Sequence, residues 1–448
     1  MKPPRIVLPT MTSLAVLVTA QQALGAGFAI REQSGTAQTN AFAGATAAAK
    51  DASYMFFNPA ALALQEGNQA HLSLSYILPE SKFKDGEASI AGGAVAITGT
   101  DNSGDIGDDA LVPAIYVSTE LADRLTFGLG VTFPFGLTTE NEEGWIGRYH
   151  ALKSELTTVN INPAVGIRAS DKFAFGLGLQ LQYVDTELTN AIDFGTIGAG
   201  QAIPGSIPTA QDGDVELEAD DWGVGYNLGA LYTPNDSTRF GLAFRSEIDH
   251  RADGSADFTN DSAGIGAVLN GAGLFLDTGA SAEVTTPASI SAGAYHEYEN
   301  GLALMAEVAW TEWSVFEELR VEFDNPAQPD NVTTEDWDNS WFVALGARYQ
   351  LTPEFALNGG IAYDESPIPD ETRTPRVPGS DRYWVAVGGE YELTSSISLN
   401  ASYTHIFMED GDIELVTNGA DENAARGNLS GRYENQIDIF TVSGTIRF

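Results

Sequence analysis

From about residue 68 onward, apolar and polar residues alternate with a period of two, segment after segment. Over 173–183 one face carries Phe173, Phe175, Leu177, Leu179, Leu181 and Tyr183, and the other Ala174, Gly176, Gly178, Gln180 and Gln182. Leu302, Leu304, Ala306, Val308 and Trp310 likewise oppose Ala303, Met305, Glu307, Ala309 and Thr311. Successive side chains of a strand point to opposite faces, so each such segment reads as an amphipathic strand. Strands in soluble sandwiches mostly run about 5–6 residues, whereas several of these reach about 10 or more, the length a tilted strand needs to cross a hydrocarbon layer. Fourteen segments are predicted, near 69–82, 110–121, 124–138, 154–170, 172–190, 214–234, 238–258, 281–299, 302–323, 337–351, 354–366, 380–393, 396–411 and 432–448. Some joins are tight (Thr352-Pro353, Glu299-Asn300-Gly301) and others are long and polar (191–213, 259–280). An even strand number with that asymmetry predicts an all-β fold, a 14-stranded antiparallel transmembrane barrel. Tyr149, Trp222, Trp310, Trp313, Trp341, Tyr383 and Trp384, near strand ends, read as interfacial girdles. The last strand ends on an aromatic, Phe448, which looks like the signal that barrel assembly machinery reads during insertion.

The N-terminus sets the compartment. Lys2 and Arg5 precede an apolar stretch over 6–20, and Ala23-Leu24-Gly25 offers a small-residue cleavage site, so residues 1–25 read as a secretory signal peptide. Pro9, Thr10, Thr12 and Ser13 interrupt that stretch too early for a spanning helix, and no other apolar run reaches about 18 residues. Acidic residues outnumber basic ones, 62 to 22, which excludes a nucleic-acid partner because phosphate neutralisation needs the opposite sign. The acidic run over 101–109 (DNSGDIGDD) lacks EF-hand spacing and reads as a solvated loop. There are no cysteines, so thiolate metal sites and cysteine nucleophiles are ruled out. His71, His150, His250, His296 and His405 are scattered without metal-ligand spacing, and no Gly-x-Ser-x-Gly occurs. No metal and no cofactor are expected, and the chain does not read as an enzyme. An outer-membrane lipid hydrolase and a polar-solute porin are the competing readings.

Residues 26–67 are rich in Ala and Gly and do not alternate over membrane length. Some forty non-barrel residues ahead of the first strand predict a plug in the lumen, because irregular backbone at membrane depth is tolerated only within protein or a wet cavity. The start Ala26-Gly27-Phe28, the triplet Asn58-Pro59-Ala60, and the blocks TPASISAGAYHEYENGLALMAEVAWTEWSVFEELRVEF (286–323) and GGIAYDESPIPDETRTPRVPGSDRYWVAVGGEYEL (359–393) resemble the FadL/TodX family of outer-membrane hydrophobic-compound transporters. The similarity covers essentially the whole mature chain. It implies a hatch over 26–67, carrying Gly27, Phe28, Asn58, Pro59 and Ala60, inside a monomeric barrel over 68–448. It places that barrel in the outer membrane of a Gram-negative bacterium, among lipids that include lipopolysaccharide. It further implies passive transport of long-chain fatty acids or similar hydrophobic molecules, captured in an extracellular apolar groove, passed to a hatch-gated pocket, and released sideways where the third strand kinks.

The third strand fits that expectation. It reads RLTFGLGVTFPFGL over 124–137; Pro134 cannot donate to a ladder and Gly136 permits a bend, so pairing should fail across Phe133, Pro134, Phe135 and Gly136. Taken alone, Pro-x-Gly is an ordinary bulge at a strand end; on the strand where the family opens its wall, it reads as a lateral exit. A sixteen-carbon chain carries roughly 12 kcal/mol of preference for apolar surroundings, at about 0.8 kcal/mol per methylene, so a route that ends in the bilayer suits it better than a wet lumen. Headgroup recognition is less legible. The stretches that match the family's basic pocket strands read YVDTE (183–187) and WDNSW (337–341), without Lys or Arg. Arg148, Arg245 and Arg382 remain as possible headgroup contacts, with Arg373 and Arg376 beside them, each among enough acids for a salt bridge. This departure leaves neutral alkanes or aromatics open as substrates.

Overall fold

Residues 27–90, 92–417 and 422–448 are described by the computed structural model; the expected signal peptide lies outside them. The alternating segments are strands that hydrogen-bond in chain order. β1 (Asn68–Ile90) is followed by β2 (Ala110–Ala122), β3 (Leu125–Thr132, resuming at Gly136–Glu140), β4 (Lys153–Arg168), β5 (Phe173–Asp193) and β6 (Asp212–Asn235). Next come β7 (Thr238–Arg245 and Ile248–Thr259), β8 (Thr278–Thr286 and Ser289–Glu297), β9 (Leu302–Thr311 and Glu318–Phe323) and β10 (Asn331–Thr334 and Ser340–Thr352). β11 (Phe355–Asp364), β12 (Arg382–Thr394), β13 (Ile397–Met408 and Gly411–Leu415) and β14 (Asn428–Arg447) complete the wall. β14 returns to β1 along its length, from Gln69 opposite Arg447 to Ser89 opposite Asn428, so the sheet closes and has no free edge.

Alternation sorts the side chains as period two requires. Leu177 is 52% exposed on the outer face, while Ala174 and Gln180 of the same strand are buried in the lumen. The turns between β2 and β3, β6 and β7, β10 and β11, and β12 and β13 are tight, and the long connections lie at the other end, the asymmetry of an outer-membrane barrel.

Three expectations need correction. Trp222, Trp341 and Tyr383 do face outward, but Tyr149, Trp313 and Trp384 are buried inside. Trp384 follows Tyr383 and therefore takes the opposite face; Trp313 sits in a 3-10 turn (Trp313–Val315) that has left the strand register. The long segments read as single strands over 238–258, 281–299 and 302–323 each break, at 246–247, 287–288 and 312–317. Pro287 supplies no N–H at one break, and Pro287, Ser289, Thr311 and Trp313 line a cavity, where irregular backbone is tolerated at membrane depth. The connections over 191–213 and 259–280 are not simply polar loops: they fold into short helices that share a small apolar core, described below.

The N-terminal segment fills the lumen with one α-helical turn, α1 (Gly35–Gln38), and two 3-10 turns, Ala52–Phe56 and Pro59–Leu64. Asn58 caps the last of these, its side-chain oxygen accepting from the Ala60 amide at 2.9 Å, with Pro59 at the position where a missing N–H costs nothing. The Asn58 amide also donates to the Thr46 carbonyl at 2.8 Å and to the wall carbonyl of Ala230 at 3.1 Å. That close seat explains why the lumen face is so rich in glycine. A Cβ on Gly229 would lie 1.9 Å from Asn58 Oδ1, and one on Gly176 would lie 2.2 Å from the Ala60 nitrogen. Ion pairs tie the segment down as well: Lys50 meets Glu390 at 2.5 Å, and Glu390 meets Arg348 at 2.9 Å.

Gly229→Val should therefore unseat the plug at a cost of about 1–3 kcal/mol for overpacking, while the barrel still assembles. Planar-bilayer recordings and limited proteolysis check it: steady ion conductance and cleavage within 27–67 are expected in the variant and near absent in the parent.

Candidate functional site: an opening, a plug strand and a charged cavity

β3 pairs with β2 from Ala122 opposite Leu125 up to Ile115 opposite Val131. There the two strands part, and β3 next meets the connection ahead of β2, where Gly107 bridges Thr139 and the Glu140 amide donates to the Ile106 carbonyl at 3.2 Å. Residues 110–114 of β2 and 133–138 of β3 flank the opening. On its other side β3 stays with β4 through a bulge of three residues against two, Thr132 facing Asn160 and Gly136 facing Thr157. Thr158 spans the bulge: its hydroxyl donates to the Phe135 carbonyl at 2.7 Å and accepts from the Phe135 amide at 2.9 Å.

The backbone that β3 withdraws from β2 finds partners on the plug. The Ile30 amide donates to the Pro134 carbonyl at 2.8 Å, and the Gly136 amide donates to the Phe28 carbonyl at 2.9 Å. The Gln33 side chain donates to the Phe133 carbonyl at 2.7 Å and accepts from the Phe133 amide at 3.0 Å. Pro134 has no amide hydrogen to satisfy. Phe28 is anchored in turn by an aromatic cluster, 4.8 Å from Trp313, 5.7 Å from Trp337 and 6.0 Å from Phe135 between ring centres. Gly27 is wedged beneath, where a Cβ would lie 2.4 Å from Trp337. Of the residues singled out in the sequence, Gly27 and Phe28 thus meet Phe133, Pro134, Phe135 and Gly136, while Asn58, Pro59 and Ala60 seat the plug against β5 and β6.

Beside this junction lies a cavity of about 130 Å³. Ile77, Phe135, Phe244, Phe342, Ile406 and Ile439 give it apolar walls, and six charged residues reach it: Arg31, Glu32, Arg245, Glu307, Asp364 and Arg382. Arg382 is paired with Asp364 at 3.1 Å. Arg245 donates to the Phe56 carbonyl at 2.7 Å and to the Gln180 side chain. Arg31 differs from both: its guanidinium lies 3.7 Å over the Phe342 ring and makes no hydrogen bond or ion pair among the described residues. Burial works against its charge, and the carboxylates of Asp364, Glu307 and Glu32 support it. Burial also pushes Glu32 up to about 7. Trp313 and Trp384 line the same cavity, and their indole N–H groups have no acceptor among the described residues. The cavity therefore offers spare donors within greasy walls, which suits an oxygen-bearing head on an apolar chain.

Arg148, Arg373 and Arg376 lie elsewhere, in the packing of the outer connections. Arg148 donates to Asp212 at 2.8 Å and to the Thr98 carbonyl at 3.0 Å; Arg373 pairs with Asp370 at 2.6 Å; Arg376 donates to Ser154 at 3.0 Å. Arg31 went unnoticed in the sequence, although a signal exists: Arg31 and Glu32 are the only charged residues over 26–49. Among the outer connections is a second, larger cavity of about 630 Å³, whose apolar lining includes Ile192, Ile197, Val215, Phe258, Phe275 and Phe323.

A closed fourteen-stranded barrel, filled by its own N-terminus and parted beside that filling, is the architecture of a passive outer-membrane transporter of hydrophobic compounds. The family model described as "Outer membrane protein transport protein (OMPP1/FadL/TodX)" matches residues 16–448, and the chain belongs to that family, whose members are transporters and not enzymes. It is 26% identical to the "Long-chain fatty acid transport protein" of Escherichia coli strain K12, over 83% of this chain and 85% of that one. It is likewise 26% identical to "Outer membrane protein P1" of Haemophilus influenzae, over 95% and 96%. The crystal structure of a Pseudomonas aeruginosa FadL homologue superposes with a TM-score of 0.86 at 25% identity, covering 94% of this chain and all of that one (100%). The Pseudomonas putida toluene transporter TodX, at a TM-score of 0.66 and 18% identity over 94% and 99%, shares the fold.

Proposed function

We propose that this protein passively carries long-chain fatty acids from the outer medium into the bilayer, through the outer groove, the cavity beside the plug, and a sideways exit between β2 and β3. The observation that carries the reading is the exchange of partners at the opening: the edge that β3 withdraws from β2 is held by plug residues 28–33. Ile30, Pro134 and Phe135 belong both to that junction and to the cavity lining, so shifting the plug strand joins the cavity to the opening. The chain then leaves into hydrocarbon without crossing water. The barrel, closed on itself, works as a monomer within lipopolysaccharide-containing lipid, inserted by assembly machinery that reads its Phe448 end.

Arg31 favours an acid over a hydrocarbon, because a neutral alkane would leave the guanidinium and both indole N–H groups without acceptors. One observation favours the second reading, uptake of neutral alkanes or aromatics: the cavity sets three carboxylates against three guanidiniums and so carries little net charge.

Uptake of labelled oleate and labelled hexadecane by a deletion strain, with and without this protein, separates the two; faster oleate uptake is expected, and no gain for either substrate refutes transport. Arg31→Leu should lower oleate uptake about tenfold or more and leave hexadecane unchanged, since hydrogen bonds to a charged group are worth about 1.5–3 kcal/mol. In Pro134→Val with Gly136→Val, β3 regains a ladder donor and loses its hinge; the new Cβ at 136 crowds the terminal methyl of Ile30, at 2.8 Å, and touches the Leu156 carbonyl oxygen at 3.4 Å. Oleate uptake should vanish while the barrel still assembles, and unchanged uptake would remove the lateral route. Glu32 is neutral below about 7 and negative above it, beside Arg31. Oleate affinity, read by displacement of a fluorescent fatty acid, should thus fall as pH rises through that value, and Glu32→Gln should flatten the dependence.

A further inference from the structure

Two outer connections differ from the rest of this acidic chain. The sequence is 19% charged, yet residues 194–211 and 262–276 contain no Asp, Glu, Lys or Arg. At the overall rate, about six charges would fall there. Both segments fold: α2 (Phe194–Gly200) and α3 (Ile265–Asn270) pack together over a core of Phe194, Ile265 and Leu269, with the Phe194 and Phe275 rings 5.1 Å apart. Their inner side supplies Ile197 and Phe275 to the groove.

Both segments also expose apolar residues to the outside. Ile207, Val268 and Leu276 are 59%, 56% and 42% exposed, and Ala199, Ala202, Pro204, Ala267 and Ala272 on the same two segments are also exposed. These residues lie on connections beyond the strands, so the bilayer that accounts for outward Leu and Phe on the wall does not account for them. An apolar surface left in water at the tip of a charged molecule marks a contact site. Its surroundings narrow the partner. Asp193, Asp212, Asp261 and Asp277 bracket the two segments, and the whole chain carries a net charge of −40. That field repels an anionic micelle or an anionic bilayer and leaves an uncharged apolar surface as the complement.

We propose that the α2–α3 loop pair docks this protein on an uncharged oil–water interface, the surface of an oil droplet, and loads the groove from that condensed phase. Long-chain molecules are scarce as monomers in water because every methylene resists it, so a droplet is where they are concentrated. Ile207, Val268 and Leu276 dip into the droplet, and Ile197 and Phe275, on the inner side of the same loops, form the adjoining apolar wall. Loading rests on the groove being the ligand's way in, as proposed above; docking does not.

The test uses the full chain in nanodiscs and in a deletion strain, with hexadecane-in-water droplets as the probe and a triple variant, Ile207→Ser, Val268→Ser and Leu276→Ser. All three positions are exposed and outside the groove lining, and an unchanged shift on boiling in gel electrophoresis confirms the barrel. The parent should float with bare droplets, and the variant's bound fraction should fall at least tenfold. Coating the droplets with dodecyl sulfate should abolish the parent's binding. Uptake of a trace of labelled oleic acid dissolved in the droplets should fall with binding, whereas uptake of monomeric oleate released from albumin should stay at the parent's level. Equal flotation of parent and variant, no flotation of the parent, or equal binding to bare and sulfate-coated droplets would each overturn the proposal. Loss of monomeric oleate uptake in the variant, with flotation intact, would show that the loops only shape the groove. A parent that floats but takes up oleate from neither source would defeat the transport reading and leave docking standing.

Discussion

Hydrocarbon offers no hydrogen-bond partner, so a barrel wall must pair each backbone group with its neighbours or hide it within protein. Along most of this wall the ladders do that work, and the β14–β1 seam closes the last edge. Besides the breaks in β7, β8 and β9, the exception is the parting of β2 from β3, and it is admissible only because residues 28–33 accept and donate where β2 no longer does. Opening and plug are for that reason one device. The plug holds the wall open while filling the space behind it, and any motion that clears the space also frees backbone groups that must find new partners.

The plug is held differently on its two flanks. Against β5 and β6 its backbone lies directly on wall glycines, an approach that excludes water. Against β1 and β13 it is held by side-chain hydrogen bonds: Ser75 donates to the Glu32 carbonyl at 3.5 Å, Gln38 to Thr404 at 3.0 Å, and Asn400 to Thr36 at 3.1 Å. Each such bond contributes only about 0.5–1.5 kcal/mol net, because water replaces it when it breaks. Displaced apolar contacts have no such substitute. The flank that separates at lower cost adjoins β1 and β2, and β2 borders the opening.

The wall was legible in the sequence because lipid imposes one uniform demand on every outward position, and period two records it. The kink was legible for a local reason, the missing amide of Pro134. What holds the kink was not, since it pairs residues a hundred positions apart. The breaks in β7 and β9 were hidden because Ser246, Glu247 and the 312–317 segment keep the look of alternation while their backbone turns along the cavity. Trp384 was misplaced by treating aromatics as a group; its parity against Tyr383 settles its side. The loops over 191–213 and 259–280 read as polar because Gly, Ser, Thr, Asn, Gln and Asp interrupt their apolar residues without a regular period, although Ile265 and Leu269, four apart, mark a helix face. Arg31 lies outside the wall's period-two pattern; its signal in the sequence is that Arg31 and Glu32 are the only charged residues over 26–49.

Charged side chains in a conduit for oils raise a question of division of labour. The apolar walls of groove and cavity attract any long chain in proportion to its methylenes and cannot tell one head from another. On the proposed route charge supplies the discrimination, with groups that also position the plug: Glu307 is held by Thr46 of the plug, its amide 3.0 Å away, and Arg31 belongs to the plug itself. A ligand carboxylate drawn to Arg31 thereby acts on the strand whose carbonyl and amide groups hold the opening. On the proposed route, recognition of the head and release of the tail are coupled along one short strand, since Arg31 stands two positions from Gln33 and three from Phe28, which both hold the opening.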